Sequence, residues 1–94
     1  MYTVYILFSE KLNKFYTGYT SDLILRMEFH KLRIPGKFTA ATDDWKLFYT
    51  IECTTKHQAL SIEKHIKKMK SSTYIKNLPK YSEISQKLLL RYKN

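Results

Sequence analysis

Cysteine is nearly absent. The single thiol, Cys53, cannot close an internal disulfide, and there is no second cysteine with which to build a thiolate metal site. It reads as a small buried hydrophobe at the end of a strand rather than a nucleophile. No apolar run approaches the ~20 residues that cross a bilayer, and the first residues lack the basic-then-apolar plan of a secretory leader. The expectation is therefore a cytoplasmic protein with no membrane contact. Internal repeats, low-complexity segments and linkers are also missing, so the 94 residues read as one domain, able to bury only roughly 60% of the surface its unfolded chain exposes. Acids are scarce too: 8 Asp plus Glu stand against 17 Lys plus Arg, a net charge of +9 at a pI of about 9.7. Such a balance suits a binder of phosphate backbones, or a solvated basic surface with no partner.

What is present is apolar and aromatic: 44% of the chain is hydrophobic, and there are eight Tyr. Residues 2–8 (Tyr-Thr-Val-Tyr-Ile-Leu-Phe) contain no breaker and suit a strand covered on both faces. After a polar stretch at 9–14, Phe15 to Tyr19 resumes the strand pattern, predicting an antiparallel hairpin. Gly18 would weaken a strand interior, and close approach by a ligand or another part of the chain is the usual reason for it.

Thr20 or Ser21 is expected to cap a helix over residues 23–31, with Asp22 in its first turn. Leu23, Ile24 and Met27 project to one side and Leu25 and Phe29 to another, which predicts a well-buried helix. Arg26 and His30, four residues apart, share one face and are expected to face a pocket. From Leu32 to Asp44 periodicity is lost around Pro35-Gly36, and this long loop, with Lys37, is a candidate for substrate contact. Residues 45–53 alternate, placing Trp45, Leu47, Tyr49, Ile51 and Cys53 on one side of a strand.

Thr55 and Gln58 form a capping box for a helix over about 56–70, whose apolar stripe is Ala59, Ile62, Ile66 and Met69, widened by Leu60. Glu63 falls inside that arc, where a carboxylate needs a cation, hydrogen bonds or a metal. Lys64, Lys67, Lys68 and Lys70 surround it and, with Lys37, are the candidates for backbone phosphates. A short helix over 71–78, stopped by Pro79, and an amphipathic helix over about 81–92, with Tyr81, Ile84, Leu88 and Tyr92 at helical spacing, complete the chain. His57 and His65 read as surface residues.

Taken in order, Thr3-Val4-Tyr5, Tyr16-Thr17-Gly18, Arg26, His30 and Glu63 resemble the signature of the GIY-YIG nuclease family, and more narrowly its small standalone excinuclease-subunit-like members. The resemblance covers residues 1 to about 78. It departs from the family pattern at Thr3, Thr17 and Tyr19, and at Ile75, where many members carry Asn. The resemblance implies an α+β fold, a three-stranded antiparallel sheet flanked by helices, with the C-terminal helix added to a core of about 1–78. It also implies a DNA endonuclease with one divalent ion, Mg²⁺ or Mn²⁺, on Glu63. Arg26 would neutralise the phosphate, Tyr5 would act as base or water-positioner with His30 beside it, and Tyr16 would orient the phosphate. Other readings stay open on the residues alone. Arg26 could pair directly with Glu63 as a structural lock, the fold could bind nucleic acid without cutting it, and Ile24 and Leu25 could form a homodimer contact.

Overall fold

Residues 2–9 supply the strand on which the rest of the domain packs. In the computed structural model, which describes residues 1–31 and 42–93 apart from the side chains of Phe29, His30 and Lys31, β1 (Tyr2–Ser9) is the middle strand of a three-stranded antiparallel sheet of order β2-β1-β3. β2 spans Lys14–Thr20 and β3 spans Lys46–Cys53. Val4, Tyr5, Ile6 and Leu7 are all buried, as a run of apolar residues without alternation requires of a strand sandwiched on both faces. The hairpin pairs Tyr5 with Gly18 and Leu7 with Tyr16 directly across the strands.

Each face of the sheet carries its own core. On one, Val4, Ile6, Ile51 and Cys53 pack against Ala59, Ile62 and Ile66 of α2 (Lys56–Met69), Ile75 of α3 (Ser72–Asn77) and Leu88 of α4 (Ser82–Arg91). On the other, Tyr5, Leu7 and Trp45 form a smaller cluster with Leu12, Tyr16, and Leu23 and Met27 of α1 (Leu23–Lys31). Cys53 is fully buried at the end of β3, as expected.

Three expectations change. Trp45 does not share a face with Ile51 and Cys53, because the β1–β3 register slips between Ile6 and Leu7: Ile6 pairs with Tyr49 but Leu7 with Leu47, which makes Phe48 a bulge. One extra residue reverses the alternation upstream of it, sending Trp45 to the smaller core. Helix α1 is not well buried: Ile24 is 80% and Leu25 58% exposed, since the small face needs only Leu23 and Met27. Met69 is likewise exposed, lying past the end of the α2 stripe.

The caps hold the elements in place. The α1 cap is Asp22, whose Oδ1 accepts from the Leu25 N–H at 3.0 Å, while Thr20 Oγ1 instead closes a turn with the Asp22 backbone. Thr55 caps α2 through the Gln58 N–H, and the Gln58 amide then joins three elements by accepting from the Thr54 N–H and donating to the Leu89 carbonyl. At the opposite end of the sheet Asp44 accepts from Ser9, Thr42 and the Lys11 N–H. These bonds hold its carboxyl well below the usual carboxylate range and tie the hairpin turn to the approach of β3.

Candidate active site

Gly18 explains the geometry of the site. A Cβ built on it would stand 2.6 Å from the Tyr5 hydroxyl, 2.7 Å from Tyr5 Cζ and 3.2 Å from Tyr16 Cε2. The close approach inferred from the glycine is therefore that of the Tyr5 ring, which crosses its cross-strand partner to reach the exposed edge strand β2. There the Tyr5 and Tyr16 side chains hydrogen-bond, their ring centroids 6.3 Å apart.

Around these two phenols lies a pocket of about 480 Å³ lined by Tyr2, Tyr19, Arg26, Lys56 and Glu63, among others. Its lining comes from both faces of the sheet, so it wraps the β2 edge. Tyr5 and Tyr16 come from the smaller core, Arg26 from α1, and Glu63 from α2 on the other side. Glu63 is buried, only 9% exposed, as its place in the apolar arc requires. Among the described residues its ion-pair partner is Lys67, one helical turn on, with Nζ 3.2 Å from Oε2. Arg26 lines the same pocket without taking that carboxylate, so the structural lock does not form. Lys67 Nζ also stands 5.6 Å over the Tyr16 ring, which places one cation between the carboxylate and a π-face.

Burial is the main cause that pushes the Tyr5 phenol well above its usual 10, with Tyr16 and Glu63 adding to it. Arg26 pulls the other way and is outweighed. Arg26 by itself therefore does not bring the Tyr5 phenol down toward neutral pH.

The pocket gathers Tyr5, Tyr16, Arg26 and Glu63. His30 lies on α1 one turn beyond Arg26, but its side chain, and Lys37 entirely, lie outside the described residues. The lysines of α2 divide. Lys67 and Lys70 line a groove that adjoins the pocket, whereas Lys64 and Lys68 line a separate concavity with Arg91 and Tyr92. His65 belongs to that second concavity and is not a simple surface residue. Its Nδ1 lies 2.9 Å from the Tyr92 hydroxyl, and its ring contacts Tyr74. Burial lowers its pKa, with Arg91 and Lys68 contributing. Lys56, one of the lysines near Glu63 in the sequence but not among the phosphate candidates, is a pocket cation. Its signal was the spacing of seven from Glu63, which brings both onto one side of α2.

Glu63 is the carboxylate that this pocket offers to a metal. Among the described residues no group of three or more His, Cys, Asp or Glu could cage an ion. A single buried carboxylate opening onto a pocket fits Mg²⁺, which keeps several waters and completes its shell with substrate phosphate rather than protein.

Among the described residues no helix is long and apolar enough to cross a membrane. Comparison with curated proteins and with solved structures returned no match. The family model of the GIY-YIG catalytic domain, however, matches residues 1–77, a span that takes in the hairpin, α1, β3, α2 and α3. With the three-stranded antiparallel sheet and the ordered signature residues in place, the chain belongs to the GIY-YIG nuclease family.

Proposed function

We propose that this protein is a DNA endonuclease that hydrolyses phosphodiester bonds with one divalent ion held by Glu63. The observation that carries this reading is the convergence of a buried carboxylate, a guanidinium and two hydrogen-bonded phenols on one pocket at a sheet edge. Hydrolysis of a phosphodiester requires charge to be neutralised on the transferring phosphate, a positioned water and a stabilised leaving oxygen. Arg26 and Lys56 supply fixed positive charge along the pocket wall. Tyr5, kept protonated by burial, donates to a phosphate oxygen or to the attacking water, and Tyr16 orients that hydroxyl. His30, one turn from Arg26, is the candidate to take the water's proton. A bound Mg²⁺ or Mn²⁺ would lend Lewis-acid stabilisation to the phosphate and the leaving 3′ oxygen. Lys67 holds the Glu63 carboxylate meanwhile and compensates its charge.

The surplus of +9 supports binding driven by phosphate contacts, with weak sequence preference and strong salt sensitivity. The rival is a nucleic-acid-binding module of the same fold without cleavage. Incubating labelled branched, nicked, single-stranded and duplex DNA with Mg²⁺, Mn²⁺ or EDTA separates the two. Metal-dependent cutting that Arg26→Ala and Glu63→Ala abolish supports the nuclease, whereas binding without any cutting leaves the module. We also infer that the exposed Ile24 and Leu25 form a homodimer contact. Sedimentation that finds monomer alone at high concentration would remove that idea.

A further inference from the structure

Next to the catalytic pocket lies a larger groove of about 680 Å³ that shares Tyr16 with it and whose Lys67 pairs with the pocket's Glu63. Its floor is apolar, made by Phe15, Ile66 and Ile75, and its rim carries Lys14, Lys67 and Lys70. Phe15 is a rigid platform, fixed between Phe8 at 4.8 Å and Phe48 at 5.0 Å by ring centroids. Cations alone would serve a duplex backbone. An aromatic and aliphatic floor beneath them serves a ligand that is anionic along one edge and flat and uncharged on its face, the chemistry of a nucleotide whose base has left its stack.

The backbone points to the same place. Among the described residues, the non-glycine residues with positive φ are Asn13, at 51°, and Lys70, at 49°, and both line this groove. Asn adopts the left-handed region readily, but Lys does not. Lys70 closes α2 at the position where helices most often place Gly, so the chain accepts backbone strain where a glycine would avoid it and gains a cation on the rim. Such strain gathers where a side chain has work to do.

We propose that this groove receives the nucleotide flanking the cleaved phosphate, its base unstacked on the Phe15–Ile66–Ile75 floor and its neighbouring phosphates on Lys14 and Lys70. The preferred substrate is then nucleic acid with unpaired nucleotides beside the cut, such as a single strand, flap or branch. This rests on the nuclease reading and names its substrate class.

The test is fluorescence anisotropy in EDTA, over a salt series, with a short labelled single strand that does not self-pair and the same strand annealed to its complement. Wild type is expected to bind the single strand at least about 5-fold more tightly, the low end of one stacked base. Lys70→Gly relieves the backbone, so its melting temperature is expected to hold or rise. Its slope of log affinity against log salt for the single strand should nevertheless fall by about 0.7, one phosphate contact, and its preference for the single strand should narrow. Lys14→Ala should reduce the slope by a similar amount, and Lys87→Ala on α4 should leave it unchanged. Equal or tighter duplex binding by wild type, or an unaltered slope in Lys70→Gly, overturns the groove assignment and leaves the nuclease reading standing. Failure of wild type to bind either form overturns both.

Discussion

Replacing Gly18 with alanine tests the packing on which the site is built. The new methyl carbon would lie 2.6 Å from the Tyr5 hydroxyl and 2.7 Å from Cζ, far inside van der Waals contact. The two residues are directly paired across the β1–β2 ladder, so the backbones cannot separate without losing hydrogen bonds. The Tyr5 ring is 1% exposed and cannot swing into solvent. Overpacking of this kind costs about 1–3 kcal/mol, and the stiffer unfolded chain of an alanine variant returns about 0.4–1 kcal/mol. A net loss of about 1–2 kcal/mol corresponds, at about 4–8 °C per kcal/mol in a domain of this size, to a fall in Tm of about 4–16 °C. Thermal melts followed by circular dichroism, on wild type, Gly18→Ala, Tyr5→Phe and the double variant, close a thermodynamic cycle. In the Tyr5→Phe background the alanine should cost less, because the nearest oxygen is gone, but still more than nothing, because Cζ remains. A Gly18→Ala protein that melts at or above wild type, or a cost equal in both backgrounds, would refute the placement of Tyr5 over Gly18.

Alkaline titration of the tyrosine absorbance should show a component that resists ionisation well beyond 10, and Tyr5→Phe should remove it while the upward shift of Tyr74 remains. Because the unfolded chain sheds that proton first, near its ordinary pKa of about 10, stability should fall as pH rises above about 10, and less steeply in Tyr5→Phe. His65 gives the opposite window. Burial lowers its folded pKa below 6.5, so its contribution is present above about 6.5 and is lost as the unfolded chain protonates first on acidification. Urea melts at pH 7.5 and 5.5 should lose less stability in His65→Gln than in wild type. Cys53 is fully buried, and burial raises its pKa, so a thiol reagent should modify it only after unfolding.

Much of the fold was legible because the strongest signals are local. An unbroken β-branched and aromatic run can only be an inner strand, and Thr55 with Gln58 marks the start of α2 wherever the chain goes. Glu63 was legible for the same reason, since a carboxylate in an apolar arc is an anomaly that helical periodicity alone exposes. Trp45 was misplaced because a bulge at Phe48 adds a residue to the strand without changing its composition. The burial of α1 was overestimated because apolar residues around a helix say nothing about how much sheet is available to cover them. The partner of Glu63 was equally out of reach: Lys67 is adjacent on the helix and Arg26 is remote, and only the wrap of the pocket around β2 decides between them. Lys56 was not singled out, and Lys70 was read only as one phosphate candidate among several, because a basic chain hides its useful cations among solvated ones; the left-handed backbone at Asn13 and Lys70 leaves no mark in composition.

Glu63→Gln is the most direct test of the active-site assignment, since it keeps the size and the hydrogen-bonding reach of the side chain and removes its charge. Cleavage rate with Mg²⁺ and binding in EDTA would be measured on the same labelled substrate. Loss of cleavage by at least about 100-fold, with affinity unchanged within a few-fold, is expected if this carboxylate holds the ion. Cleavage at the wild-type rate by the glutamine variant would place the chemistry elsewhere and contradict the assignment.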